Sequence, residues 1–397
     1  MNSTPLFDPL SSDFRKDFYG TMARMRAACR AYRHPDTLVP VVSFFRHADI
    51  APMLADWENW SSERSEEKKA RGLGPASIML GNDPPLHTKY RKIMVPHFTP
   101  QSVRGYDAVI SRLVDEAVEA CVDTGEIDFV EQFSQHVTTG LICEICGIPA
   151  EDRGLIRRNS ILISEIYGKG LFWKEPHPEV EAIVTGVSVE LGGYLIGHVE
   201  RLKNTDKPSV MSAIATQLDS PYEIAAMSML LIAGGVETTA NNIVHGLQEL
   251  IRNPVQFEML RSDPSLLDTA IEEMVRYRGT LRRQERVAKN DIEIDGVTIE
   301  AGDTVVLWNA SACRDPDYIE RSEEFDISRS PNKHVGYGNG IHMCIGNVLA
   351  RAELRAIFGR LLTATSSIEE ARGDDSYEDA GNGVMDVARR YSLKMHS

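Results

Sequence analysis

A chain of 397 residues is long enough to bury a large core, and its length alone allows two or three domains. Its 43 basic and 58 acidic side chains leave a net charge of −15, which argues against nucleic acid or an anionic membrane as the main partner. The six cysteines are too sparse and scattered for a disulfide framework and suit a reducing compartment. The N-terminus lacks the basic region and apolar run of a signal peptide. The longest apolar stretch, around residues 225–233, falls short of the roughly 20 residues that span a bilayer. These features predict a cytoplasmic protein. No internal repeat, low-complexity tract or obvious linker divides the chain.

In chain order, residues 14–31 read as a helix and residues 37–45 as a strand-like run. Residues 61–81 form a polar, glycine-containing loop. Asp83, Pro84 and Pro85 then open a helix, with acid and proline at its head. His87 and Arg91, four residues apart, share one face of it. With Lys89 and Lys92 nearby, that face is either a solvated basic surface or an anion site. Residues 104–205 carry apolar side chains at helical spacing. Within them Cys143 and Cys146 lie in an apolar segment that stops at Gly147, the pattern of a buried helix rather than a redox or zinc pair. Residues 168–178 read as a loop.

Residues 220–253 read as one long helix, headed by Asp219, Ser220 and Pro221. It contains Gly234-Gly235-Val236-Glu237-Thr238-Thr239. Each interior glycine costs roughly 1 kcal/mol against alanine, and Thr238 is spaced to bond back to the Gly234 carbonyl. The result is either a kinked core helix or a bulge with room for a small ligand. Further on, Glu273 and Arg276 lie three apart on a helix, by itself an ordinary pair. An extended segment would then place Arg282, Gln284 and Arg286 on one face. Asp295-Gly296, between alternating residues, signals a hairpin.

The most informative stretch comes near the end: Gly336, Gly338 and Gly340 precede His342 and Cys344, Gly346 follows, and a helical pattern starts at Asn347. Glycines let a backbone approach a large flat object closely. Turn amides and a helix start favour a thiolate by pointing N–H groups at sulfur. A phosphate loop is a poor fit, because Met343 stands where the dinucleotide fingerprint needs glycine. A buried structural cysteine and a nucleophile served by His342 remain open on these residues alone.

The stretch from Tyr337 to Gly346 resembles the haem-binding signature of the cytochrome P450 family, Phe-Gly-x-Gly-x-His/Arg-x-Cys-x-Gly, with Tyr337 in place of Phe. Four further blocks resemble that family in the same order: the region of His87 and Arg91, Gly234 to Thr239, Glu273 to Arg276, and Phe325 to Arg329. The resemblance implies one mainly α domain over residues 1–397, with a smaller β-rich lobe from about 1–60, 286–310 and 380–397. It implies haem b, iron protoporphyrin IX, with Cys344 as the metal ligand. Gly338 and Gly346 would shape the loop, and His87, Arg91, Arg286 and His342 would hold the propionates. Glu237 and Thr238 would be the catalytic pair that relays protons. Glu273, Arg276 and Arg329 would be structural. Leu230, Ala233, Gly234, Val384 and Met385 are candidate pocket residues. Arg282 is either solvated or salt-bridged, or a partner for an acidic group on the substrate.

The implied activity is a monooxygenase that uses O2 on a small to medium organic substrate. Electrons would come from NAD(P)H through a reductase and a ferredoxin-type iron–sulfur protein, since no flavin or NAD motif is visible. Arg351, Arg355, Lys89 and Arg104 would offer that donor a basic patch. A peroxide-driven haem-thiolate enzyme, a haem sensor or carrier, and a haem-free cysteine hydrolase are the alternatives.

Overall fold

The computed structural model describes residues 7–63, 79–166, 169–172, 177–202, 209–379 and 385–397. Helices dominate. They include α1 (Phe18–Ala28), α2 (His47–Ala55), α3 (Leu86–Met94), α4 (Gln135–Cys146), α5 (Pro178–Leu202), α6 (Pro221–Gly235), α7 (Glu237–Arg252), α8 (Leu267–Arg278) and α9 (Asn347–Ala364). Helix α7 is buried on almost every side, as expected of a helix that runs through a core. It packs against α4, α8 and α9. Close approach depends on small residues: a Cβ at Gly235 would meet the Ile142 side chain at 2.6 Å.

The expected single helix over 220–253 is divided. Ser220 caps α6 through its side chain, Pro221 takes the first position, and the chain turns at Val236 before α7 begins. By length and mean hydropathy two helical stretches could cross a membrane, Pro178–Leu202 and Pro221–Arg252. More than half of the second stretch's apolar window lies inside the protein, as a core helix requires.

The strands are β1 (Ala31–Arg33), β2 (Val41–Phe44), β3 (Trp60–Ser61), β4 (Glu126–Asp128), β5 (Gln284–Ala288), β6 (Ile292–Ile294), β7 (Val297–Ile299), β8 (Thr304–Leu307), β9 (Ser367–Glu370), β10 (Tyr377–Asp379) and β11 (Ala388–His396). A five-stranded sheet runs β1-β2-β8-β5-β3, parallel only between β2 and β8. A second sheet runs β10-β11-β4, with β9 also on β11. It is wider than expected, because β4 comes from the middle of the chain and β9 begins at Ser367. The β6–β7 hairpin turns at Asp295 and Gly296, both at positive φ, as the Asp-Gly pair predicts.

The start of α3 also differs. Asp83 does not cap it; the helix begins at Leu86 after Pro85, with no side-chain cap. The Asp83 carboxylate instead accepts from Ser61 Oγ at 2.6 Å and the Ser62 amide at 3.0 Å, and pairs with Lys289 at 3.0 Å. Cys143 and Cys146 are buried in α4, which ends at left-handed Gly147. Residues 64–78 of the first loop, 168 and 173–176 of the second, and Val384 lie outside the described residues.

Candidate active site

The cysteine loop is held by its own backbone. The Cys344 amide donates to the Tyr337 carbonyl at 2.8 Å, and the Met343 amide to the Gly340 carbonyl at 3.1 Å. Gly338 and Gly340 have φ of 75° and 68°. A Cβ at Gly340 would stand 2.5 Å from the Ala55 backbone, so only glycine lets the loop lie against the end of α2. Asn339 Nδ2 ties the loop to the Ala51 carbonyl at 3.0 Å, and Arg91 Nη2 to the Met343 carbonyl at 2.8 Å. Helix α9 leaves the loop directly.

Cys344 alone of the six cysteines is exposed. Protein packed around the loop partly desolvates the sulfur and raises the pKa of its thiol, against the opposing pull of the Gly346 amide, Arg91 and Arg351. The Gly346 amide and the two guanidiniums pull toward the thiolate, as the loop predicts, and a coordinated cation would favour it further.

Beside the loop, the His87 and His342 rings lie 4.4 Å apart. Among the described residues none of their four ring nitrogens is in a well-formed hydrogen bond, and the Ile341 backbone gives His87 weak support. Burial, with Arg286 next, lowers His342 to about 3; burial and Arg91 also lower His87. Arg286 is buried beside them. Two uncharged imidazoles and two guanidiniums converge on one place. That donor set suits a pair of carboxylates, and with a thiol on a glycine-shaped loop it fits haem.

Across α6 and α7, Leu230, Ala233, Gly234 and Thr238 are accessible, while Leu231, Ile232, Val236, Glu237 and Thr239 are buried. The accessible residues fall on one helix face. A Cβ on Gly234 would meet nothing within 4 Å. Thr238 Oγ1 donates to the Gly234 carbonyl at 2.5 Å, the back-bond its spacing predicts. Glu237 is on the other side of the helix, where Gln135 Nε2 of α4 donates to it at 3.3 Å. The structure thus places Glu237 and Thr238, expected to act as a pair, on separate faces, and sequence spacing gave no sign of Gln135.

Arg282 has an internal partner. Its Nη2 is 3.0 Å from Asp386 Oδ1, and its guanidinium lies over the Phe18 ring at 4.5 Å. It is not a spare cation for an acidic substrate. The adjacent Leu281 forms an antiparallel bridge with Met385, and with Val387 they make a small apolar cluster. Leu281 was missed because no motif marks it. The basic patch is also weaker than expected: Arg351 pairs with Glu272, Arg355 with Asp268 and Lys89 with Glu223. Glu273 receives Arg276 at 2.7 Å, Arg329 at 3.2 Å and Asn332 at 2.9 Å, a buried structural cluster as expected.

Residues 261–395 match the family model Cytochrome P450. The chain is 30% identical to the vitamin D(3) 25-hydroxylase of Pseudonocardia autotrophica over 94% of its own length and 92% of that protein. It is 32% identical to the cytochrome P450 monooxygenase PikC of Streptomyces venezuelae, over 91% and 87%. Among solved structures, P450BioI in complex with an acyl carrier protein carrying hexadec-9Z-enoic acid superposes with a TM-score of 0.87 at 25% identity, over 97% of this chain and 99% of that one. The glycine-shaped cysteine loop, the donor cluster beside it and these relatives together establish that this chain belongs to the cytochrome P450 family of haem-thiolate monooxygenases.

Proposed function

We propose that Cys344 supplies the axial thiolate and that the chain inserts one oxygen atom from O2 into a small to medium, largely apolar organic substrate in the bacterial cytoplasm. NAD(P)H provides the electrons through a reductase and a ferredoxin-type iron–sulfur protein. The observation that carries this reading is an accessible thiol on the glycine-shaped loop beside two histidine rings whose buried nitrogens are unsatisfied. His87, Arg91, Arg286 and His342 hold the propionates, with charge-assisted donors where an anion is half out of water. When bound, the haem supplies oxygen activation and insertion into a C–H or double bond.

The protein's own part is orientation and proton supply. Thr238 donates its hydroxyl hydrogen bond to the Gly234 carbonyl, which leaves the oxygen lone pairs free to accept a hydrogen bond on the open face. Glu237, buried and steadied by Gln135, is the proton store behind it. Leu230, Ala233, Gly234, Leu281 and Met385 supply an apolar wall, and Arg282 is committed to Asp386 rather than to an acidic substrate.

The decisive measurement is the carbon-monoxide difference spectrum of the reduced protein. Wild type is expected to show the red-displaced Soret band of a thiolate-ligated haem, and Cys344→Ser to lose it; a band unchanged by the substitution removes the assignment. NADH consumption and product with surrogate ferredoxin and reductase then separate a monooxygenase from a sensor or a peroxide-driven enzyme.

A further inference from the structure

The Leu281–Met385 bridge, which the haem-thiolate reading puts in the pocket wall, is braced by charge. Asp386, next to Met385, is 1% exposed and serves two guanidiniums. Its Oδ2 accepts from Arg278 Nε at 2.9 Å, and its Oδ1 lies 3.0 Å from Arg282 Nη2. Arg278 is also bonded to Gln248 and to Tyr377 Oη, and lies 3.5 Å from Glu249. Burial alone would raise the Asp386 carboxyl, but Arg278 and Arg282 outweigh it and hold the group well below the usual carboxylate range. Arg282 Nε and Nη1 have no hydrogen-bond partner among the described residues; Asp386 is its main counter-ion, with Asp379 a lesser one.

Main-chain bonds carry this brace to the catalytic helix. The Asp386 amide donates to the Thr280 carbonyl at 2.8 Å. Thr280 Oγ1 donates to the carbonyl of Thr238 at 2.9 Å, and the Thr280 amide to Asn242 Oδ1 at 3.0 Å. Ala388 donates to Asn241 Oδ1 at 2.7 Å. Leu281 is therefore flanked by Thr280, tied to α7, and Arg282, tied to Asp386. Met385 is joined to Leu281 and precedes Asp386. The two apolar side chains are fixed from both ends by polar residues that do not themselves form the wall.

A buried ion cluster of this kind is a poor source of stability, because well-packed apolar residues commonly do as well. Its effect lies in geometry. We infer that Asp386, held between Arg278 and Arg282, is a positioning residue that fixes Leu281 and Met385 and so sets which ligand shapes the pocket accepts. The inference rests on the haem-thiolate reading.

The test compares two iron ligands in the haem-loaded protein. Imidazole needs only access to the iron, whereas 4-phenylimidazole also needs the wall. Spectral titration gives a dissociation constant for each, and their ratio is the readout. Asp386→Asn, which keeps shape and removes charge, is expected to shift the ratio about tenfold; Arg282→Met, which leaves one cation on one carboxylate, shifts it about threefold in the same direction. General loss of stability moves both constants or neither. Should Asp386→Asn fail to retain haem, Arg282→Met decides alone. An unchanged ratio in the variant that holds haem overturns the inference. Absence of thiolate-ligated haem from wild type would instead overturn the underlying reading, and the carbon-monoxide spectrum reports that separately.

Discussion

Neighbouring residues on a helix point about 100° apart, and that decides what Glu237 and Thr238 can each do. Thr238 keeps the open face and Glu237 the buried one. Thr238→Ala removes the hydroxyl but not the haem site, so NADH consumption is expected to continue while product falls on the order of tenfold and peroxide rises. Glu237→Gln keeps a side chain of the same shape beside Gln135 but cannot release a proton. Removing a general acid typically costs on the order of a hundredfold or more, so coupled turnover should fall by about that factor with ligand affinity unchanged. Equal product yield from wild type and both variants would remove the relay. The bond from Thr238 to Gly234 was legible because it spans four residues of one helix. Gln135 and Asp386 were not legible. Their partners lie about a hundred residues away, and nothing local distinguishes a glutamine or aspartate that makes such a contact from one in solvent.

At the scale of elements, local chemistry again separates what could be read from what could not. The Asp295-Gly296 hairpin follows from two residues that tolerate positive φ. Strand β4 could not be read, since three residues gain strand character only by pairing with β11. The Glu273 cluster joins both kinds. Its i,i+3 pair is written in the helix, but Arg276 also donates to the carbonyls of Cys313 and Ser322 at 2.8 and 2.7 Å, holding the coil ahead of the cysteine loop. Removing one partner of a fully buried pair typically costs about 3–5 kcal/mol. Glu273→Gln is therefore expected to lower stability by that order in urea unfolding followed by haem absorbance. A cost below about 1 kcal/mol would mean that the cluster is not a tie between α8 and the loop.

Across the whole molecule, buried titratable groups set how stability responds to acid. His34 and His245 are both lowered to about 3, first by burial. His34 is bonded to Ser43 Oγ at 2.7 Å, and His245 to Tyr377 Oη at 3.2 Å. In the unfolded chain such groups protonate near pH 6.5. Between those two values the unfolded state binds more protons than the folded one, so each histidine makes stability fall as pH falls, by up to about 1.4 kcal/mol per unit. Glu353 on α9 acts the other way. Burial holds its carboxyl protonated well above the ordinary range, so its contribution is lost as pH rises. His47, His87, His97, His198 and His342 are lowered in the same direction, so the histidines outweigh Glu353 and leave a net loss on acidification below about 6.5. Urea unfolding at fixed ionic strength between pH 7.5 and 5 should show stability declining, and His245→Asn should flatten that decline by up to about 1.4 kcal/mol per pH unit. Stability that is level or rises toward pH 5 in wild type would show that these rings take up protons in the folded state.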